Sequence, residues 1–174
     1  MSTAPRDRRA TLILAVVLVG AAFALKWWYR SATADDLAFV LKPVSALVSA
    51  MTGAAAMQEA EGSFLFPELG IRIDRSCSGI NFLAIATACF ALVIMKRPDG
   101  GCARPLLAVL AVGGAYLLTI VVNSGRIATM ALAKQSGFLL APRTHEAVGA
   151  FFFLGALLVA VLLLNRLMHR TYPI

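Results

Sequence analysis

Three residues of types that suit nucleophilic acyl chemistry stand far apart in this chain: Cys77, Arg126 and His145. Cys77 lies in Arg75-Ser76-Cys77-Ser78-Gly79, just ahead of a long apolar run, and that pattern predicts a helix starting at the cysteine. A helix N-terminus carries roughly half a positive charge, so it favours an anion. Thiols in such places ionise readily, and the thiolate is the attacking form. Gly79 lets a second backbone or a substrate come close. Arg126 closes Asn123-Ser124-Gly125-Arg126, and the i, i+3 spacing puts Asn123 and Arg126 on one helix face. A guanidinium there could stabilise a thiolate, hold a carboxylate or serve an oxyanion. His145 opens the last apolar run, in His145-Glu146-Ala147-Val148-Gly149. An imidazole that titrates near pH ~6.5 suits a general acid or base. Gly149, four residues on, removes bulk from the same face and permits close helix packing.

Each residue also has a plainer reading. Cys77 could be a buried, inert thiol, the role expected of Cys89 in mid-helix, while Cys102 is incidental in a basic loop. Arg126 could be an interfacial cation snorkelling to lipid phosphates. His145 could be an interfacial histidine, although His169 in the basic tail fits that role better. One His and one Cys fall short of the three or four ligands that zinc requires, so no metal or other cofactor is expected.

The elements that position these residues are membrane helices. Of the 174 residues, 60% are hydrophobic and 14% charged, and the mean hydropathy is +0.81. A soluble domain carries roughly 45–50% apolar and about 25% charged residues. We therefore read residues 1–174 as one integral membrane domain. Runs 78–95, 105–122 and 147–164 are nearly free of charge and, with flanking residues, reach the ~20 residues of a spanning helix. Run 10–25 is extended by Trp27, Trp28 and Tyr29 at headgroup level. Its rival reading is a signal peptide cleaved at Ala32-Thr33-Ala34, but the aromatic insert favours a retained helix. Four spans result, at about 10–29, 77–95, 105–123 and 145–165. Segment 37–57 is broken early by Lys42-Pro43 and is expected to be interfacial or re-entrant, as is 127–141, which Lys134-Gln135 divides. Residues 63–74 read as a short hairpin turning at Pro67-Glu68-Leu69-Gly70.

Orientation follows from the basic residues nearest the helix ends. Arg6, Arg8 and Arg9, then Lys96, Arg97 and Arg104, then Arg166 and Arg170 fall on one side, which the positive-inside rule makes cytoplasmic. The net charge of +7 thus sets orientation and is not read as a nucleic-acid surface. Two spans separate Cys77 from Arg126 and none separates Arg126 from His145. Parity alone brings all three to the opposite, extracytoplasmic face. Two other classes compete: a non-catalytic assembly or export partner, and a small transporter with Arg126 as an anion site. The transporter would want charged or broken helices at mid-bilayer, and the clear spans lack both.

With these motifs in this order the chain resembles the exosortase/archaeosortase family of membrane-embedded cysteine transpeptidases. The resemblance rests on Cys77-Ser78-Gly79 at a helix start, Asn123-x-x-Arg126 at the end of a later helix and His145 at the start of the last, over about residues 62–165. It implies an all-α polytopic bundle and a bacterial cytoplasmic (inner) membrane location with the site outside. It also implies cleavage of C-terminal tripartite sorting signals (motif, apolar helix, basic tail), of the Pro-Glu-Pro type in bacteria, with transfer to an acceptor. The partners would then be membrane lipids and such substrate proteins. Residue by residue, it makes Cys77 the nucleophile, His145 the general acid/base and Arg126 the electrostatic stabiliser. Asn123, Ser78 and Gly79 would be supporting residues. Typical bacterial members have more helices, so this chain resembles a compact form. His145 stands where archaeal relatives often use Arg.

Overall fold

The computed structural model describes residues 5–95, 103–137 and 142–171. Its elements are α1 (Pro5–Ser31), α2 (Ala38–Thr52), β1 (Met57–Gln58), β2 (Phe64–Phe66), β3 (Ile71–Ile73), a 3-10 turn (Arg75–Cys77), α3 (Ile80–Met95), α4 (Ala103–Gln135) and α5 (Pro142–Thr171). Cys102, Lys96 and Arg97 lie outside the described residues, as do the side chains of Arg6, Arg8, Arg9, Arg104, His145, His169 and Arg170.

Among the described residues, three segments are long and apolar enough to cross a membrane: Arg75–Ile94, Val109–Gln135 and Ala147–Leu167. They overlap three of the four expected spans, Val109–Gln135 running well past the expected end at 123, and α1 forms a continuous helix over the fourth. The chain is an all-α polytopic membrane protein with a small sheet attached. Apolar side chains such as Leu117, Val121, Phe151 and Leu154 stand more than half exposed, a surface suited to acyl chains rather than water.

α2 runs through Pro43 without breaking. Proline lacks the N–H that would bond to the carbonyl four residues earlier, here Phe39. The Tyr116 hydroxyl of α4 donates to that carbonyl instead, at 2.6 Å. Val40, Leu41, Val44 and Val48 form the buried stripe of α2, and Ser124 of α4 donates to the Val44 carbonyl at 3.3 Å. Gly53, at φ +73°, ends the helix, its N–H bonded to the Ser49 carbonyl. Fifteen residues make α2 about 22 Å long, short of the ~30 Å hydrocarbon core.

The expected hairpin is present, and β1 adds a third strand to it. β2 and β3 pair antiparallel with Phe64 opposite Ile73 and Phe66 opposite Ile71, and β1 pairs with β2 on the other side. Phe64, Phe66 and Ile73 are buried in the core they share with α2 and α4, while Arg72 next to Ile73 is exposed, the alternation of a one-sided sheet. Gly70, at φ +60°, closes the turn.

Segment 127–141 departs from expectation. Residues 127–135 are not a separate element but the continuation of α4, which is unbroken over 33 residues, or about 50 Å. Ile127, Ala128 and Ala131 are buried, so packing carries the helix on past Arg126. Lys134 and Gln135 at its tip donate to the carbonyls of Gly70 and Glu68 at 2.8 and 3.1 Å. The far end of α4 thus holds the hairpin in place.

Candidate active site

Cys77 sits where the hairpin hands over to α3. It is not the first residue of that helix, as expected, but the last of the 3-10 turn, three residues before Ile80. Asp74 sets this turn: its carboxylate accepts from the Ser76 N–H at 2.8 Å and the Ser76 hydroxyl at 2.6 Å. Those bonds favour a tight turn over an immediate helix start. The Cys77 and Ser78 N–H groups close on the carbonyls of Asp74 and Arg75 at 3.0 and 3.1 Å. Gly79 then takes φ +70°, which realigns the chain into α3.

The turn is fixed to two helices. From α1, the Tyr29 hydroxyl donates to the Arg75 carbonyl at 2.9 Å, and the Arg75 guanidinium lies 4.8 Å over the Tyr29 ring. From α4, Asn123 Nδ2 donates to the Cys77 carbonyl at 2.5 Å. Asn123 is fully buried, and a Cβ on Gly79 would come within 3.3 Å of its amide and of Thr119 Cγ2. The glycine is thus required both for its backbone angle and for this approach. Cys77 itself is half-buried, with Sγ 3.8 Å from Ser76 Oγ and 4.0 Å from the Arg72 carbonyl.

Arg126 lies one turn beyond Asn123 on α4. Its half-buried guanidinium sits 5.0 Å over the Phe153 ring of α5, and Arg126 lines a cavity with Ser76, Ser78 and Gly79. Gly149 packs against this side chain: a Cβ there would stand 3.3 Å from Arg126 Nη1, close enough to shift it. The guanidinium thus sits against α5, between Gly149 and Phe153. His145 lies in the first turn of α5, four residues before Gly149, and its side chain is outside the described residues.

Two cavities meet at this point. One, of about 460 Å3, runs between α3 and α5 and is mainly apolar, lined by Phe82, Ile85, Phe153 and Leu157 with Arg126 at its polar part. The other, of about 810 Å3, is a polar cleft lined by Asp35, Glu61, Arg72, Asp74 and Arg75. Tyr29 and Ser76 border both, so the residue next to Cys77 forms part of the wall between them.

Residues 3–162 match the family model described as transmembrane exosortase. The chain belongs to the transmembrane exosortase family. No curated protein and no solved structure matches it. The match begins at residue 3, so it takes in α1 and α2 as well as the region that carries the motifs. Exosortase membership points to a membrane-embedded sorting transpeptidase of the cysteine type acting on proteins that carry sorting signals.

The structure brings Cys77, Ser78, Gly79, Asn123 and Arg126 together, and the turn of α5 at Gly149 joins them. Sequence reasoning missed Tyr29, read there as a headgroup anchor, along with Thr119 and Phe153. A tyrosine just outside an apolar run signals an interface and nothing more; its bond to Arg75 depends on how α1 packs on the turn.

Proposed function

We propose that this exosortase-family protein is a cysteine transpeptidase that cleaves C-terminal sorting signals on the extracytoplasmic side of the bacterial cytoplasmic membrane and passes the substrate to an acceptor. The observation that carries the reading is the pinned turn: the Cys77 carbonyl is held by Asn123, and Arg126 lines a cavity together with Ser76, Ser78 and Gly79. The two cavities suit a substrate with two characters. An apolar segment fits between α3 and α5, and a polar extended segment fits the cleft beyond Tyr29 and Ser76. On this reading the scissile peptide lies between them, at Ser76 and Cys77.

In this mechanism the Cys77 thiolate attacks the scissile carbonyl, Arg126 stabilises the charge that develops, and His145 protonates the leaving amine. Asn123 and Gly79 position the turn. We read α1, α3, α4 and α5 as the crossings, with α2 lying at the interface or re-entrant, too short to span. The test is thioester trapping with co-expressed proteins ending in a motif, an apolar helix and a basic tail. Cys77→Ala should abolish both the thioester and processing while leaving the protein in the membrane. Undiminished processing in that variant would falsify the reading and favour a non-catalytic membrane partner.

A further inference from the structure

Among the described residues, one buried hydroxyl and four backbone N–H groups beside Cys77 have no hydrogen-bond partner. Ser78 is fully buried, its Oγ has no partner, and it lines the cavity that Arg126 enters. Gly79, Ile80, Asn81 and Phe82 line the same cavity, and none of their N–H groups donates to another backbone group. The first N–H groups of a helix have no acceptor within it, and α3 is a full 16-residue helix with a dipole directed at this point. Buried polar groups in proteins are almost always paired, and an unpaired hydroxyl is costly to bury. Donors, a helix N-terminus and a guanidinium together call for one kind of ligand, an anionic oxygen.

We propose that Ser78 Oγ and the N–H groups opening α3 form the oxyanion site for acyl transfer at Cys77. This rests on the reading of Cys77 as the nucleophile and assigns Ser78 a catalytic role beside Arg126. As the thiolate sulfur bonds to the acyl carbon, the carbonyl π pair moves onto oxygen, and Ser78 O–H donates to that oxygen. When the pair returns, the C=O double bond re-forms and the bond to the leaving group breaks, its electrons departing with that group. The thioester on Cys77 remains.

The test uses the full chain in detergent and two reagents. p-Nitrophenyl acetate acylates a thiolate through a tetrahedral oxyanion and releases p-nitrophenolate. Iodoacetamide alkylates it by direct displacement of iodide, with no oxyanion. Rates are read at Cys77 by peptide mass, with Cys77→Ala as the blank for other sites. Ser78→Ala should slow acylation about 100-fold, the usual loss for one oxyanion donor, and leave alkylation within two-fold. Acylation within three-fold of the parent overturns the proposal. So does a parallel change in both rates, which assigns Ser78 to holding the turn. If no sorting signal is cleaved but the two reagents still diverge, the proposed physiological reaction falls and the oxyanion site stands. If signals are cleaved and the divergence is absent, only the oxyanion site falls.

Discussion

The bond from Asn123 to the Cys77 carbonyl yields the sharpest prediction. Asn123→Ala removes the donor and leaves that carbonyl without its partner, which weakens the turn by about 1–3 kcal/mol. The same substitution removes Asn123 Oδ1, itself a buried acceptor with no partner among the described residues, whose burial costs a comparable ~1–3 kcal/mol. The two nearly cancel in global stability, so the melting temperature in detergent should move by no more than about 4 °C. They do not cancel at the turn. Its pinned form should lose about five- to 140-fold against the released form, at about 1.4 kcal/mol per decade. Hydrogen exchange reads this directly, because the Ser78 N–H is closed onto the Arg75 carbonyl and should exchange faster by a similar factor. Thioester formation at Cys77 should fall alongside it. If Asn123→Ala exchanges and reacts like the parent, the pin has no part in positioning Cys77. A collapse in melting temperature would refute the cancellation.

Gly149→Ala separates stability from activity: alanine favours helix by roughly 1 kcal/mol over glycine, yet its Cβ displaces Arg126 Nη1. Melting should hold or rise while thioester formation drops several-fold. Lys134→Met removes the exposed bond to the Gly70 carbonyl and should cost under about 1 kcal/mol. Exchange of the 67–70 amides should quicken with the rest of the pattern unchanged. Asp36 accepts from the Thr33 N–H and then the Thr33 hydroxyl, which holds its carboxyl below the usual carboxylate range. A depressed folded value stabilises the turn between α1 and α2 above the unfolded pKa of about 3.9 and loses that contribution as pH falls through the folded value. Exchange protection of residues 33–37 should therefore drop at acid pH in the parent and show no such step in Asp36→Asn.

Much of the fold was legible because membranes impose simple rules. A run of apolar residues such as 147–164 must be a helix, since lipid satisfies no backbone groups, and its length is set by the bilayer. The hairpin was legible from Pro67 and Gly70, which encode their own turn. Local rules failed where a distant residue decided the outcome. Pro43 read as a helix break because its relief comes from Tyr116, more than seventy positions away. Lys134-Gln135 read as a divider of an interfacial segment, but those polar groups bond the hairpin turn and α4 continues up to them. Cys77 read as the helix start because the apolar run begins there, whereas Asp74 and Gly79 delay the helix by three residues.

For the site, the sequence by itself determined which residue types were present, and the parity of the expected crossings put Cys77 and Arg126 on one face. Crossing a bilayer is discrete, so counting spans suffices. Only the tertiary structure decided what happens at that face: that Asn123 holds the Cys77 carbonyl, that Gly149 packs against the Arg126 guanidinium, and that Ser78 is buried without a partner among the described residues. Those facts depend on ångström-scale contacts between residues on different helices, and spacing along the chain carries no information about them.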